Sequence, residues 1–397
     1  MSEPILQYTN QQLHWNGKSL VKVANLWKSK NQDFPLYLYS KEILHHRFQI
    51  FKKAFPKARI HFAMKSNHWK PLLNELLRLG SHVDVVSAGE AQHAMEVGFK
   101  PEQILFSGVG KTFRELKTAI DLGVYQINIE GEDELHKIIQ INKPVKVGLR
   151  WTPGLDAKTH PFIKTGHLDT KFGMSEADLF KSISIIQKYP QIQLQGLSMH
   201  LGSQIQDLID FENAYQALKE LIQKCPCTFK NVDLGGGLGI FYENQNHLDD
   251  EKLLLNYQQV VKKVWQDQPF EILFEPGRFI SARCGGLLTE VQAIKTTPLK
   301  KIIVVDAGMH QLIRPVLYEA FHEITPITLL SQNKQVVDVV GPICESSDFL
   351  ALDRKITEVK VGDHLWISDT GAYGSSMSSR YNLRPEAEEI FIEDLKI

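Results

Sequence analysis

The chain has 397 residues, 43% hydrophobic and 23% charged, which is enough for two domains and a substantial core and is unlike a disordered or low-complexity composition. Lysine plus arginine (45) nearly balance aspartate plus glutamate (46), so neither a nucleic-acid surface nor a polybasic membrane patch is implied, and a small-molecule ligand is expected. With no basic-then-apolar leader and no run of about 18 apolar residues, a cytoplasmic location without membrane contact is the expectation. Cys225, Cys227, Cys284 and Cys344 offer no disulfide framework, and the CPC spacing at 225–227 is not that of a redox or zinc motif, so no metal is expected.

The first 35 or so residues contain short strand-like runs, ILQYTN and QQLHW, expected to join a later β domain, and KEILHHRFQIFKKAF (41–55) reads as the first helix. Eight strand-type runs follow: IHFAM (60–64), HVDVV (82–86), QILFS (103–107), QINI (126–129), VKVGLR (145–150), LQGLSMH (194–200), KNVDL (230–234) and EILF (271–274). Between most of them lie segments of helical spacing, among them KPLLNELLRLG, FRELKTAIDLG and KLLLNYQQVVKKVWQ, and several close on glycine as a C-cap would. Alternation on this scale predicts an α/β chain with a (β/α)8 TIM barrel over 36–282 rather than an open doubly wound sheet. Past 283 the helical spacing largely stops. LTEVQAIKT, KIIVVDAG, KQVVDVVGP, DHLWISD and EEIFIED predict a C-terminal all-β domain over 283–397, joined by 1–35.

A barrel carries its chemistry at the C-terminal ends of its strands. Those ends hold Lys65, Ser87, Ser107 and Gly108, Glu130, Arg150, His200, the glycines 235–237 and, after the eighth, Glu275 through Arg278. DLGGGLGI is neither a Walker loop nor G-x-G-x-x-G, yet the loops after strands seven and eight of barrels commonly bind phosphate on backbone N–H groups. A phosphate cradle, a strand-end lysine, a histidine and a carboxylate on one rim fit pyridoxal 5'-phosphate. The lysine bonds to the cofactor, an acid pairs with the pyridine nitrogen, and a flat ring covers it. Taken singly, Lys65 is an ordinary surface lysine, His200 a hydrogen-bonded core residue and the glycine run a tight turn. Their joint placement at the correct strand ends outweighs those readings.

FAMKSN (62–67), DVVSAGE (84–90), FSGVGKT (106–112), DAKTHPFIKTG (156–166), HLGSQI (200–205), DLGGGLGI (233–240), EPGRFI (275–280), RPVLYEAFHEI (314–324), GPICESSDFL (341–350) and GAYGSSMSSRYN (371–382) span nearly the whole chain. In these stretches the sequence resembles the pyridoxal-phosphate decarboxylases of alanine-racemase-like fold, and within them the diaminopimelate decarboxylases, which catalyse the last step of lysine biosynthesis. The resemblance implies that Lys65 bonds to the cofactor, Asp84 supports it, His200 stacks on the ring and Glu275 faces the pyridine nitrogen. It implies that Ser203, Gly236, Gly237, Gly277 and Arg278 hold the phosphate or lie beside it, helped by Tyr373. Substrate contacts fall on Arg278, Arg314, Tyr318, Glu345 and Tyr373, and the proton donor on Cys344. The chemistry agrees: an arginine and a tyrosine in RPVLY suit a distal carboxylate, Glu345 a distal ammonium, and a thiol near cationic groups can reprotonate a carbanion. Family members are homodimers with shared active sites, so Cys344 and Glu345 are expected to act in trans.

Met64, Ser66 and Ala88 depart from the residues most usual in the family, as does SRYNLRPEAEEI near the C-terminus. They leave room for a sister decarboxylase acting on ornithine, lysine, arginine, carboxynorspermidine or a carrier-bound glutamyl group. A regulatory pseudoenzyme is disfavoured because Lys65, His200, the glycine loop, Glu275 and Cys344 are all present. A racemase would have no use for the CESSD segment.

Overall fold

The computed structural model describes residues 6–30, 32–154, 170–243, 247–266 and 268–396. The DAKTHPFIKTG segment (156–166) lies outside the described residues. The chain divides into two compact units, one of Phe48–Ile240 with Leu248–Phe279, the other of Met1–Arg47 with Phe241–His247 and Ile280–Ile397.

The first unit is a closed barrel of eight parallel strands, taken in chain order as Arg59–Ala63, His82–Val85, Ile104–Phe106, Gln126–Ile129, Val145–Arg150, Ile192–Ser198, Asn231–Asp233 and Glu271–Phe274. The eighth pairs with the first through Leu273 and Arg59, which closes the ring. All eight strand-type runs are strands. Helix signals are legible at both ends: Thr112 and Glu115 form a reciprocal capping box on Phe113–Leu122, and Gly98 and Gly123 end their helices at φ of 109° and 72°, where a side chain would be strained. After the eighth strand the helix is a single turn, Arg278–Ser281.

One part of the barrel interior is amide-lined. Gln126 and Asn128, two apart on the fourth strand, both point inward, and the Gln126 side chain donates to Asn128 Oδ1 at 2.8 Å. Asn231 donates to Gln126 Oε1 at 2.9 Å, as does Gln195 at 3.3 Å. Asn128 in turn donates to Ser107 Oγ at 3.2 Å and to Asp233 Oδ2 at 3.3 Å. Glycine makes room for this ladder, since a Cβ at Gly148 would collide with the Gln126 and Asn128 side chains and one at Gly196 with Asn231. Buried amides that pair with one another avoid the cost of lone polar groups in a core.

The second unit is mostly β. Its spine is Gly285–Thr296, a strand long enough to pair antiparallel with Leu36–Tyr39 and His364–Ile367 along one half and with Lys301–Val305 along the other. Leu36–Tyr39 also pairs with Glu388–Phe391, so residues 36–47 group here rather than with the barrel, where the sequence-based boundary puts them. The earliest strands, Leu6–Thr9, Gln12–Trp15 and Lys18–Ser19, form a small sheet of their own. They meet the C-terminal part of the chain through backbone bonds from Leu13 to Ile327 and from Leu329 to Gln11. Phe349–Thr357 is a strand that the periodicity does not mark, because Asp353 adopts a φ of 50° and the pairing with Lys334–Val340 slips there. Among the described residues no helix is long and apolar enough to cross a membrane.

Candidate active site

The first strand ends in one turn of 3-10 helix, Met64–Ser66, locked by the Ser66 hydroxyl donating to the Ala63 carbonyl at 2.7 Å. That turn carries Lys65. The Pro276 carbonyl accepts from the Ala63 N–H, and a Cβ at Gly277 would stand 2.9 Å from Ser66, so only glycine permits this approach of the EPGR segment. Asp84 pairs in register with Ala63 on the neighbouring strand and is fully buried, with the Lys65 Nζ 3.8 Å from its Oδ2. Among the described residues no donor meets hydrogen-bond geometry at either carboxylate oxygen of Asp84, although the Ser107 hydroxyl lies close enough to favour its charged form. A buried carboxylate with so little hydrogen bonding beside an ammonium is poised for a further cationic group.

Glu275 and Asp233 share this end of the barrel. The Ser107 hydroxyl donates to Glu275 Oε1 at 3.2 Å, and the Gly235 N–H to Asp233 Oδ1 at 2.9 Å. Burial pushes the carboxyls of Glu275, Asp84 and Asp233 above the usual carboxylate range, and repulsion among the three adds to it while Lys65 works against it for Asp84 and Glu275. His200 accepts the Gly236 N–H at Nδ1 (3.1 Å), which leaves the ring proton on Nε2. Burial, then Lys65 and Arg150, hold its pKa well below the ordinary value, so the ring is neutral at pH 7.

The glycine loop is set by close backbone contacts. A Cβ at Gly236 would collide with the Glu275 carbonyl, and one at Gly237, whose φ is 104°, would lie 2.5 Å from the Gly202 carbonyl. Beside the loop the Arg278 guanidinium donates to Ser203 Oγ at 2.9 Å. Cation, hydroxyl and bare backbone together suit a phosphate. Arg150 and Glu130, at the ends of the fifth and fourth strands, form a buried pair at 2.7 Å, and Glu130 also accepts the Gly173 N–H at 2.8 Å.

Lys65, Asp84, His200, Ser203, Gly236, Gly237, Glu275, Gly277 and Arg278 therefore all lie in the barrel unit, at strand ends or in the loops that follow them. They fit pyridoxal phosphate: an amine beside a buried carboxylate, a neutral aromatic ring, an acid fixed by a hydroxyl, and a phosphate-sized set of donors.

The remaining candidates belong to the β unit. Arg314 is buried at the start of the short helix Arg314–Tyr318, whose Tyr318 is half-buried. Tyr373 sits at a φ of 58°, a left-handed conformation that a tyrosine adopts only when its surroundings impose it. Cys344 and Glu345 are exposed on one loop, where the Cys344 N–H donates to Asn382 Oδ1 at 3.0 Å and the Tyr381 hydroxyl donates to Glu345. Asp348, the last residue of CESSD, shapes that loop by accepting the N–H groups of Met309 and Ile343 at 2.6 Å each. Ser107 is expected from its place at the end of the third strand, whereas Asp348 and Asp233 appear in the sequence only inside CESSD and DLGGGLGI. The spacing of these two from Cys344 and the glycine run is the signal that was available.

The family pattern described as "Pyridoxal-dependent decarboxylase, pyridoxal binding domain" matches residues 41–282. The chain is 38% identical over 398 residues to the diaminopimelate decarboxylase of Aquifex aeolicus, covering 98% of this chain and 93% of that one. It is 38% identical to the enzyme of the same name from Zymomonas mobilis, covering 91% and 88%. The crystal structure of diaminopimelate decarboxylase from Helicobacter pylori complexed with L-lysine matches with a TM-score of 0.88 at 36% identity, over 94% of each chain. With the barrel, its rim and these likenesses in agreement, the chain belongs to the pyridoxal-dependent decarboxylases.

Proposed function

We propose that the chain decarboxylates meso-2,6-diaminopimelate to L-lysine and CO2, as a cytoplasmic homodimer in which Cys344 and Glu345 serve the active site of the other subunit. The observation that carries the substrate is the identity to diaminopimelate decarboxylases over nearly their full length, a span that takes in the β unit as well as the barrel.

When bound, pyridoxal phosphate accepts the electron pair that CO2 leaves behind. Lys65 supplies the amine that anchors it, and Asp84 keeps positive charge favourable at that point. Glu275, braced by Ser107 and next to Asp233, holds a proton at the ring nitrogen. His200, neutral and oriented by Gly236, covers the ring without adding charge, while Ser203, Gly236, Gly237 and Arg278 bind the phosphate. Arg314, with Tyr318, binds the carboxylate that is retained, Glu345 the distal ammonium, and Cys344 returns a proton to the carbon that lost CO2. The exposure of Cys344 and Glu345 supports action in trans, since an acid works best out of bulk water and a second subunit would cover them.

The test is mass spectrometry of products after the cofactor-loaded protein is offered meso-diaminopimelate, ornithine, lysine and arginine separately. Lysine from the first and no diamine from the others is expected. Putrescine, cadaverine or agmatine as the main product would move the chain to a sister decarboxylase.

A further inference from the structure

Arg314 is held from two sides within the β unit. Its Nη1 donates to Nε2 of His322 at 2.7 Å, and its guanidinium carbon lies 4.6 Å from the centre of the Tyr242 ring. His322 is itself buried and fixed. Its Nδ1 lies 2.8 Å from the Ser368 carbonyl, which can only accept, so Nδ1 carries the proton and Nε2 presents a lone pair to Arg314. Tyr242 packs edge-on to the same imidazole, 5.3 Å between centres at 70°, and Arg354 donates to the His322 backbone carbonyl at 3.0 Å. The imidazole thus has one tautomer and one orientation.

A neutral acceptor is a specific choice of partner for a buried guanidinium. It takes up one N–H and fixes the plane of the fork without itself cancelling the guanidinium's charge. For a clamp that must engage a carboxylate arriving with the substrate, both properties are wanted.

We propose that His322 is a positioning residue, the group that sets the direction of the Arg314 fork and with it the affinity of the site for a substrate's distal carboxylate. The inference rests on the reading of Arg314 as that clamp. In the segment RPVLYEAFHEI, His322 stands eight residues beyond Arg314, so the five-residue helix and the left-handed Glu319 that ends it turn the chain back and bring the two side chains together.

The test compares the cofactor-loaded parent with His322→Phe, which keeps a flat ring against Tyr242 but removes the acceptor, and His322→Gln, whose amide oxygen can still accept from Arg314. For His322→Phe, KM for meso-diaminopimelate should rise about tenfold, the loss expected when one charge-assisted hydrogen bond is misaligned, with kcat within about twofold. Inhibition by lysine, which retains the distal carboxylate, should weaken in parallel, and inhibition by cadaverine, which has no carboxylate, should not change. His322→Gln should return KM to within about threefold of the parent. An unchanged KM in His322→Phe, equal weakening of lysine and cadaverine, or a KM in His322→Gln raised as far as in His322→Phe would each overturn the proposal. Should His322→Phe fail to fold, His322→Met, which also offers Arg314 no strong acceptor, takes its place with the same expected and overturning results. Arg314→Met separates the two levels: a raised KM there with a parental KM in His322→Phe sinks only the role of His322, while a parental KM in Arg314→Met itself removes Arg314 as the clamp.

Discussion

At the barrel rim the carboxylates of Asp84, Asp233 and Glu275 are buried among strand ends and braced by Lys65, Ser107 and the amide ladder, whereas Cys344, Glu345 and Ser346 of the β unit's CESSD loop are exposed and only Asp348 at its end is buried. The rim stores its chemistry in advance: desolvated groups at fixed separations have shifted proton affinities before any ligand arrives. The loop does not. Cys344 and Glu345 have no such enclosure within the single chain; on the proposed reading the rim holds the cofactor and this loop acts on substrate at a site that a second subunit completes.

The sharpest way to break this contrast is to remove the anchor on the barrel side. Lys65→Ala should abolish both decarboxylation and the near-visible absorbance of the cofactor-loaded protein, read in a spectrophotometer, because no other amine stands beside Asp84 among the contacts described. Turnover at the parental rate would refute the assignment. On the loop side, Cys344→Ala should lower kcat by about 10²-fold, within the range for loss of a positioned acid, and leave the cofactor absorbance untouched. Mixed with Lys65→Ala, it should recover activity through hybrid dimers if the sites are shared between subunits, and neither variant should recover alone.

The rim's motifs were legible in the sequence because its functional residues follow strands whose β-branched and aromatic runs are unmistakable: FAMKSN, DLGGGLGI and EPGRFI each place a polar or glycine residue where a strand must end. The amide ladder was not legible. Gln126 and Asn128 alternate with Ile127 and Ile129, a pattern that reads as a half-exposed strand, and only barrel closure turns the amide side inward. Leu36–Tyr39 was missed for a related reason: LYLY has no alternation to read, and its partners, Gly285–Leu288 and Glu388–Phe391, are hundreds of residues away. The support of Arg314 by His322 depends on a left-handed turn at Glu319 that no spacing rule foretells.

A smaller effect sharpens the electrostatic half of the contrast. A carboxyl whose pKa is raised by folding binds its proton more tightly in the folded state, so its contribution is complete below the unfolded pKa and is lost as pH rises through the folded value. For Glu275 in cofactor-free protein this loss falls above the ordinary carboxylate range. Glutamine at this position cannot ionise. The thermal midpoint of Glu275→Gln minus that of the parent, measured by calorimetry without cofactor, should therefore grow more positive between about pH 5 and about pH 8. A difference that is flat or falls with pH would mean that Glu275 is not a buried, charge-averse group.

The division of labour is tested most directly by Arg314→Met, through the Kd for pyridoxal phosphate and the KM for meso-diaminopimelate in one preparation. A β unit that reads substrate while the barrel holds cofactor predicts a Kd within about twofold of the parent and a KM raised about tenfold or more. Weakened cofactor binding with an unchanged KM would contradict it.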